Sequence, residues 1–288
     1  MPVMHRRTIA GREVSAIGLG AMPMSLEGRP DEAQSIRTIH AALDAGATLI
    51  DTADAYCVSL DETGHNERLV AKALASWSGD AGTVLVATKG GHYRPGDGSW
   101  QLDGRPEHLR DACDASLKAL GVDAIGLYQF HRPDPAVPYE DSVGTLKELQ
   151  DEGKVQLTGI SNADVGQIRM SIEILNQLAS VQNEFSPRFR SSEDELQLCA
   201  EHGIAFLPWS PLGGIGRAGK LGARHREFDE VARAHGVSPQ QVTLAWELAQ
   251  APVVVPIPGA TRPETILDSL RAADLELTAD ELARLDGG

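Results

Sequence analysis

Eight short apolar runs, each followed by a stretch of helical periodicity, leave this chain few ways to fold. The runs are Val14–Ile17, Thr48–Ile50, Val84–Ala87, Ile125–Gln129, Val155–Ile160, Ser180–Gln182, Ile204–Leu207 and Val253–Ile257. They are too short for helices, and continuous apolar runs of this length suit strands buried on both faces of a parallel sheet. The segments between them carry helix starts. Asp31 with Gln34, Ser192 with Glu195, Ser238 with Gln241 and Thr278 with Glu281 read as capping boxes. Pro106, Pro239 and Pro263 fall where a first helical turn tolerates proline, and Leu109, Cys113, Leu117 and Leu120 set one apolar stripe behind Pro106.

Strand-then-helix units of similar length, with no composition break or linker between them, predict one α/β domain over residues 1–288, a (β/α)8 TIM barrel. A doubly wound sheet usually has fewer units. Ahead of the first unit, Arg7 to Val14 reads as a β-hairpin turning at Gly11, placed to close the barrel's N-terminal end. One connection is long: Gly90 to Arg105, glycine-rich and carrying Tyr93 and Trp100. Following the third strand, it reads as a substrate loop.

At 42% hydrophobic and 23% charged, the 288 residues have the composition of an ordinary globular chain. The formal charge of −15 argues against nucleic acid or an anionic membrane as main partner. No apolar run approaches the roughly 18 residues of a membrane span, and Met1-Pro-Val-Met-His-Arg-Arg lacks the apolar core of a signal peptide, so a cytoplasmic location is expected. Cys57, Cys113 and Cys199 are widely spaced and form no CxxC pair, and the nine histidines show neither HxH nor HExxH spacing. Neither a disulfide framework nor a metal site is expected.

The strand ends carry the chemistry. Asp51 ends the second run with Tyr56 five residues on, Lys89 ends the third and His131 the fourth. Consecutive strands thus deliver an acid, a phenol, a lysine and a histidine to the rim where barrels hold active sites. Ser161-Asn162, Gln182-Asn183-Glu184, Trp209-Ser210 and Pro258-Gly259 follow on the later strands. A lone tyrosine after a strand is usually packing and a lone strand-end lysine usually surface. Their coincidence on adjacent strands favours catalysis.

The chain resembles the aldo-keto reductases nearly end to end. The resemblance is carried by Asp51-Thr-Ala-Asp-Ala-Tyr56, Gly64-His-Asn66-Glu67, Ala87-Thr-Lys89-Gly, Leu127-Tyr-Gln-Phe-His131-Arg-Pro-Asp134, Gly159-Ile-Ser161-Asn162, Val181-Gln182-Asn-Glu-Phe, Trp209-Ser-Pro-Leu and Ile257-Pro-Gly259. Each motif is weak alone, and their order and spacing are what make the match strong. It implies NAD(P)H-dependent reduction of aldehydes or ketones.

The residues fit that chemistry. Hydride delivery to a carbonyl carbon leaves charge on oxygen, so a proton donor must stand beside it. Tyr56 is the expected general acid, Lys89 the ammonium that lowers the phenol from its usual value of about 10, and Asp51 the carboxylate that keeps Lys89 charged. His131 would orient the carbonyl oxygen or share the proton. The resemblance further implies that Ser161, Asn162 and Gln182 hold the nicotinamide carboxamide and that Trp209 stacks on its ring, where many relatives carry tyrosine. Ser210, Pro211, Leu212, Gly213 and Gly214 supply a small-residue loop for the pyrophosphate. Gly20, Met22 and Asp51 complete the expected cofactor contacts at the first strand ends.

Gly259, Thr261, Arg262, Thr265 and Asp268 are expected at the adenosine end. There the pattern departs from relatives that place a lysine after Ile-Pro: Gly259 follows instead, and Arg262 is the nearest cation. NADP(H) is favoured over NAD(H) on the strength of Arg262, which can clamp a phosphate. Met22, Met24, Tyr93 and Trp100, with Tyr56 and His131, are expected to line the carbonyl pocket. Other readings are an NADP(H)-binding sensor subunit with slow turnover, an inactive structural barrel, and a barrel glycoside hydrolase using Glu184. The hydrolase would need a second carboxylate about 5 Å away.

Overall fold

The computed structural model describes residues 5–214 and 218–287; the segment Met1–Met4, part of the N-terminus judged to lack a signal peptide, lies outside them. A hairpin of β1 (Arg6–Ile9) and β2 (Arg12–Ser15) comes first. Then follow β3 (Leu19–Gly20), α1 (Glu32–Asp44), β4 (Leu49–Asp51), α2 (His65–Ser76) and β5 (Leu85–Gly90). A second small hairpin, β6 (His92–Tyr93) and β7 (Gln101–Leu102), precedes α3 (Pro106–Leu120) and β8 (Ile125–Phe130). The alternation continues through α4 (Tyr139–Asp151), β9 (Val155–Ser161), α5 (Val165–Ile174), β10 (Leu178–Gln182), α6 (Glu193–His202) and β11 (Ala205–Phe206). Helices α7 (Leu221–Arg224), α8 (Arg226–His235), α9 (Pro239–Gln250), α10 (Pro263–Leu270) and α11 (Ala279–Asp286) complete the chain.

Seven strands form one curled parallel sheet in the order β11-β10-β9-β8-β5-β4-β3, the α/β barrel expected. The eighth position is taken by residues 253–259, which bond on both sides without forming a regular ladder. Phe206 N donates to Val253 O at 2.9 Å, Val255 N to Phe206 O at 2.8 Å, Gly18 N to Pro256 O at 2.9 Å and Gly20 N to Pro258 O at 3.0 Å. On the β3 side the two prolines offer carbonyls but no N–H, so half of that ladder cannot form. The seam is also tight. A Cβ on Gly20 would come 2.7 Å from Ile257 O, so no side chain fits there.

One expected strand shifts. Val14 and Ser15 belong to β2, and the first barrel strand is Leu19–Gly20. The apolar character of Val14–Ile17 has a different origin. Ile9 and Val14 pack with Leu49, Leu85, Leu127, Ala205 and Val255, so the hairpin plugs the barrel's interior. Its turn, Ala10-Gly11, has φ of 48° and 81°, the two positive values of the favoured two-residue hairpin loop.

Around the barrel, the outward residues of the strands pack on the helices in a continuous outer core that includes Ile50, Phe130, Val181 and Phe206. Of the expected capping boxes, Thr278 with Glu281 forms fully. Asp31 and Ser238 accept the bond from the third helical N–H, but Gln34 and Gln241 spend their side chains on Thr261 O and Asp268. Ser192 makes no cap bond. Asp164 with Gln167, not anticipated, forms a complete box before α5.

Candidate active site

Strand alternation decides what enters the barrel. Successive side chains point to opposite faces, so with Leu49, Leu85 and Leu127 in the interior cluster, Asp51 on β4, Lys89 on β5 and Gln129 on β8 point the same way. The rim end of each strand therefore exchanges leucine for a polar group while keeping the face. Lys89 Nζ donates to Asp51 Oδ1 at 2.6 Å, to Thr52 O at 2.8 Å and to Tyr56 Oη at 3.0 Å. All three donors of the ammonium are used, and its side chain is 0% exposed. Asp51 is further held by Gln182 Nε2, which donates to Oδ2 at 2.8 Å.

Tyr56 sits on the loop after β4, buried and fixed by its neighbours. Asp54 N donates to Lys89 O, Gly64 N donates to Asp54 O, and Ala55 N donates to the Asp54 carboxylate. Burial pulls the Lys89 ammonium down, but Asp51 and Tyr56 together outweigh it and leave the lysine above its ordinary value, hence charged. Burial likewise pushes the Tyr56 phenol above its ordinary value, and the ammonium pulls against that without overcoming it. The expected direction of the lysine's influence is present, while the net shift of the phenol is upward. Desolvation of a phenolate is the larger effect in the protein alone.

An aromatic cluster stands beside the Tyr56 ring. The rings of Tyr56 and His131 meet edge to face at 5.7 Å, and Trp100, 38% exposed, stands edge-on to Tyr56 at 6.3 Å. His92 lies 4.2 Å from His131 and 5.7 Å from Trp100. The sequence reading missed His92 and assigned its neighbour Tyr93 to the pocket. On β6 the two side chains take opposite faces, and Tyr93 packs toward His108 instead. The alternation of a short strand inside the long loop was the available signal. Burial, then the neighbouring His92, holds His131 well below the ordinary imidazole value, and burial brings His92 down to about 4, so both rings are neutral at pH 7. Met22 is half-buried in the turn after β3, while Met24 packs into the outer core, away from the pocket it was expected to line.

Ser161, Asn162 and Gln182 stand together at the ends of β9 and β10. Ser161 Oγ donates to Gln182 O at 2.7 Å, and Asn162 Nδ2 donates to His131 O at 3.0 Å and to Ser161 Oγ at 2.9 Å. Asn162 Oδ1 accepts from Arg132. With Gln182 Nε2 committed to Asp51, its Oε1 is the amide atom that accepts no bond among the described residues. Trp209 is half-buried with its indole N–H unpartnered. Beyond it Ser210, Gly213 and Gly214 all have positive φ, at 53°, 81° and 98°, and no side-chain atom lies within 4 Å of a Cβ on Gly213. Pro211 and Leu212 are buried beneath that turn. An acceptor for a carboxamide N–H, a half-buried indole ring and a backbone turn of small residues fit a nicotinamide dinucleotide.

At the far end Arg262 is exposed ahead of α10 and pairs with no described carboxylate, beside the half-buried Thr261 and Thr265. Gly259 bridges to Gly20 at the barrel seam. Asp268 is otherwise occupied, accepting from Ser238 Oγ and Gln241 Nε2 at 2.6 Å each. Glu184 has Arg188 and Arg132 as its charged neighbours, with no carboxylate among them, and Asn183 spends its amide on the Ala163 backbone. A two-carboxylate glycosidase has no support in that arrangement. Among the described residues no helix is long and apolar enough to cross a membrane, and no three His, Cys, Asp or Glu side chains gather to hold a metal.

Against known proteins, the model of the Aldo/keto reductase family matches residues 16–287. An uncharacterized oxidoreductase of Schizosaccharomyces pombe is 33% identical over 95% of this chain and 86% of its own length. Probable aldo-keto reductase 1 of Glycine max is 34% identical over 96% and 85%. Among solved structures, an aldo/keto reductase from Klebsiella pneumoniae in complex with NADP and acetate superposes with a TM-score of 0.82 at 26% identity, covering 99% of this chain and 95% of that one.

Proposed function

The chain belongs to the aldo/keto reductase family and is an oxidoreductase, and from that premise we propose that it reduces aldehydes or ketones to alcohols, with NADP(H) preferred to NAD(H) and Tyr56 as general acid. The observation that carries the reading is the buried ammonium of Lys89 bonded at once to Asp51 and to the Tyr56 hydroxyl. When bound, a reduced nicotinamide supplies the hydride. The chain's own residues do the rest.

Tyr56 gives its proton to the carbonyl oxygen as charge develops there, and the fixed ammonium stabilises the phenolate left behind at 3.0 Å. Asp51 keeps that ammonium charged and aimed. His131, neutral and facing the phenol, offers a ring N–H to the same oxygen. Trp100, edge-on to the Tyr56 ring, would limit water there. Gln182 Oε1, Asn162, Ser161 and Trp209 would hold the nicotinamide end, the Ser210–Gly214 turn the pyrophosphate, and Arg262 the 2′-phosphate. The preference for NADP(H) is supported by Arg262 and by the NADP complex of the Klebsiella pneumoniae relative. A cytoplasmic location and small-molecule carbonyl partners belong to the same reading.

The test is a fluorescence titration with NADPH and NADH, followed by NADPH consumption over a panel of aromatic, aliphatic and sugar-derived aldehydes. Quenching by NADPH and turnover of part of the panel are expected. Arg262→Ala should weaken NADPH binding about tenfold with little change for NADH. Absence of cofactor binding would reject the reading, and an unchanged NADPH to NADH ratio would reject the phosphate clamp.

A further inference from the structure

We propose that His92 is a specificity-determining residue of the carbonyl pocket, one that hydrogen-bonds a second oxygen next to the reacting carbonyl and so selects α-hydroxy aldehydes, α-hydroxy ketones and 1,2-dicarbonyls. The proposal rests on the carbonyl-reductase reading and names the substrate class of that site.

His92 is a polar side chain left without partners where partners would normally be obligatory. It is 7% exposed, its Nδ1 is buried with no hydrogen bond, and neither ring nitrogen meets a donor or acceptor among the described residues. An unsatisfied buried polar group costs about 1–3 kcal/mol, so such a group in a native pocket calls for a ligand. Its surroundings say which part of the pocket it serves. The ring lies 4.2 Å from His131 at a tilt of 36°, and Trp100 stands 5.7 Å from His92 and 6.4 Å from His131. A carbonyl oxygen held by Tyr56 and His131 therefore places the adjoining carbon's substituent beside His92. The ring stays neutral, so one nitrogen donates and the other accepts, which suits a hydroxyl or a second carbonyl equally.

The strand that presents it is anchored on both sides. Asp103 N donates to Gly91 O, and two residues beyond His92 the Arg94 guanidinium lies 4.6 Å over Trp100 and pairs with Glu27 from the loop after β3. A residue held this firmly is preorganised for recognition.

The test compares kcat/KM for 2-hydroxypropanal against propanal, and for butane-2,3-dione against butan-2-one, in the wild type, His92→Phe and His92→Gln. Wild type should prefer the oxygenated member by about tenfold, the effect of one net neutral hydrogen bond. His92→Phe should bring each ratio near one, and His92→Gln should restore part of the preference. Wild-type ratios near one, or an undiminished preference in His92→Phe with NADPH binding intact, would overturn the role of His92 and leave the reductase reading standing. If wild type binds the cofactor but turns over none of the four compounds, this substrate class is wrong. Failure to bind NADPH at all would remove the reading beneath it.

Discussion

Tyr56 is the residue on which burial and charge pull in opposite directions. The ammonium at 3.0 Å favours the phenolate, yet the desolvated site raises the phenol overall, so the group stays protonated and ready to donate across the neutral range. The lysine's own protonation depends on Asp51. Lys89→Met leaves the Asp51 carboxylate buried without its cation, and a loss of about 3–5 kcal/mol is expected, read as a large drop in denaturant midpoint. The histidines give a pH signature. His92 titrates near 4 when folded and near 6.5 when unfolded, so between these values the unfolded chain binds the extra proton and stability falls as pH falls. From pH 7 to 5 that single ring contributes about 2 kcal/mol of loss at most. The His92→Phe variant should therefore lose less Tm over that interval than wild type. Equal losses would show that His92 is not held neutral.

The elements were legible where their signal is local, and less so where closure or a neighbour decides. Asp51 and Lys89 could be placed because a period of two carries leucine and polar group onto one face of β4 and β5, and His131 because it follows β8 directly. The first strand was misplaced because Val14 is as apolar as a barrel residue: it lies inside the barrel, but by way of the hairpin. Ser192 looked like a cap and is none, since its side chain makes no bond to the helix. Gly90 shows how firmly one element can be set by another. A Cβ there would lie 2.0 Å from Tyr128 Oη, so Gly90→Ala is expected to destabilise by about 2–4 kcal/mol. Adding Tyr128→Phe should recover part of the loss, and an unshifted denaturant midpoint in Gly90→Ala would refute the contact.

For the molecule as a whole, the order of motifs around the rim was readable because each strand delivers one part to the same face, and the family itself, which that order suggested, is the one whose model matches residues 16–287. The net upward shift of Tyr56 was out of reach of sequence, because it depends on how much burial the folded barrel imposes. His92 had only the alternation of a two-residue strand to mark it, and its neighbour His131 is far away along the chain. The central claim is that Tyr56, fixed by Lys89, gives the proton that completes carbonyl reduction. It is tested most directly by single-turnover NADPH oxidation, with saturating aldehyde, in wild type and Tyr56→Phe at matched cofactor occupancy. Tyr56→Phe should bind NADPH normally and react about 10²–10⁴-fold more slowly; equal rates in the two proteins would remove Tyr56 as the acid.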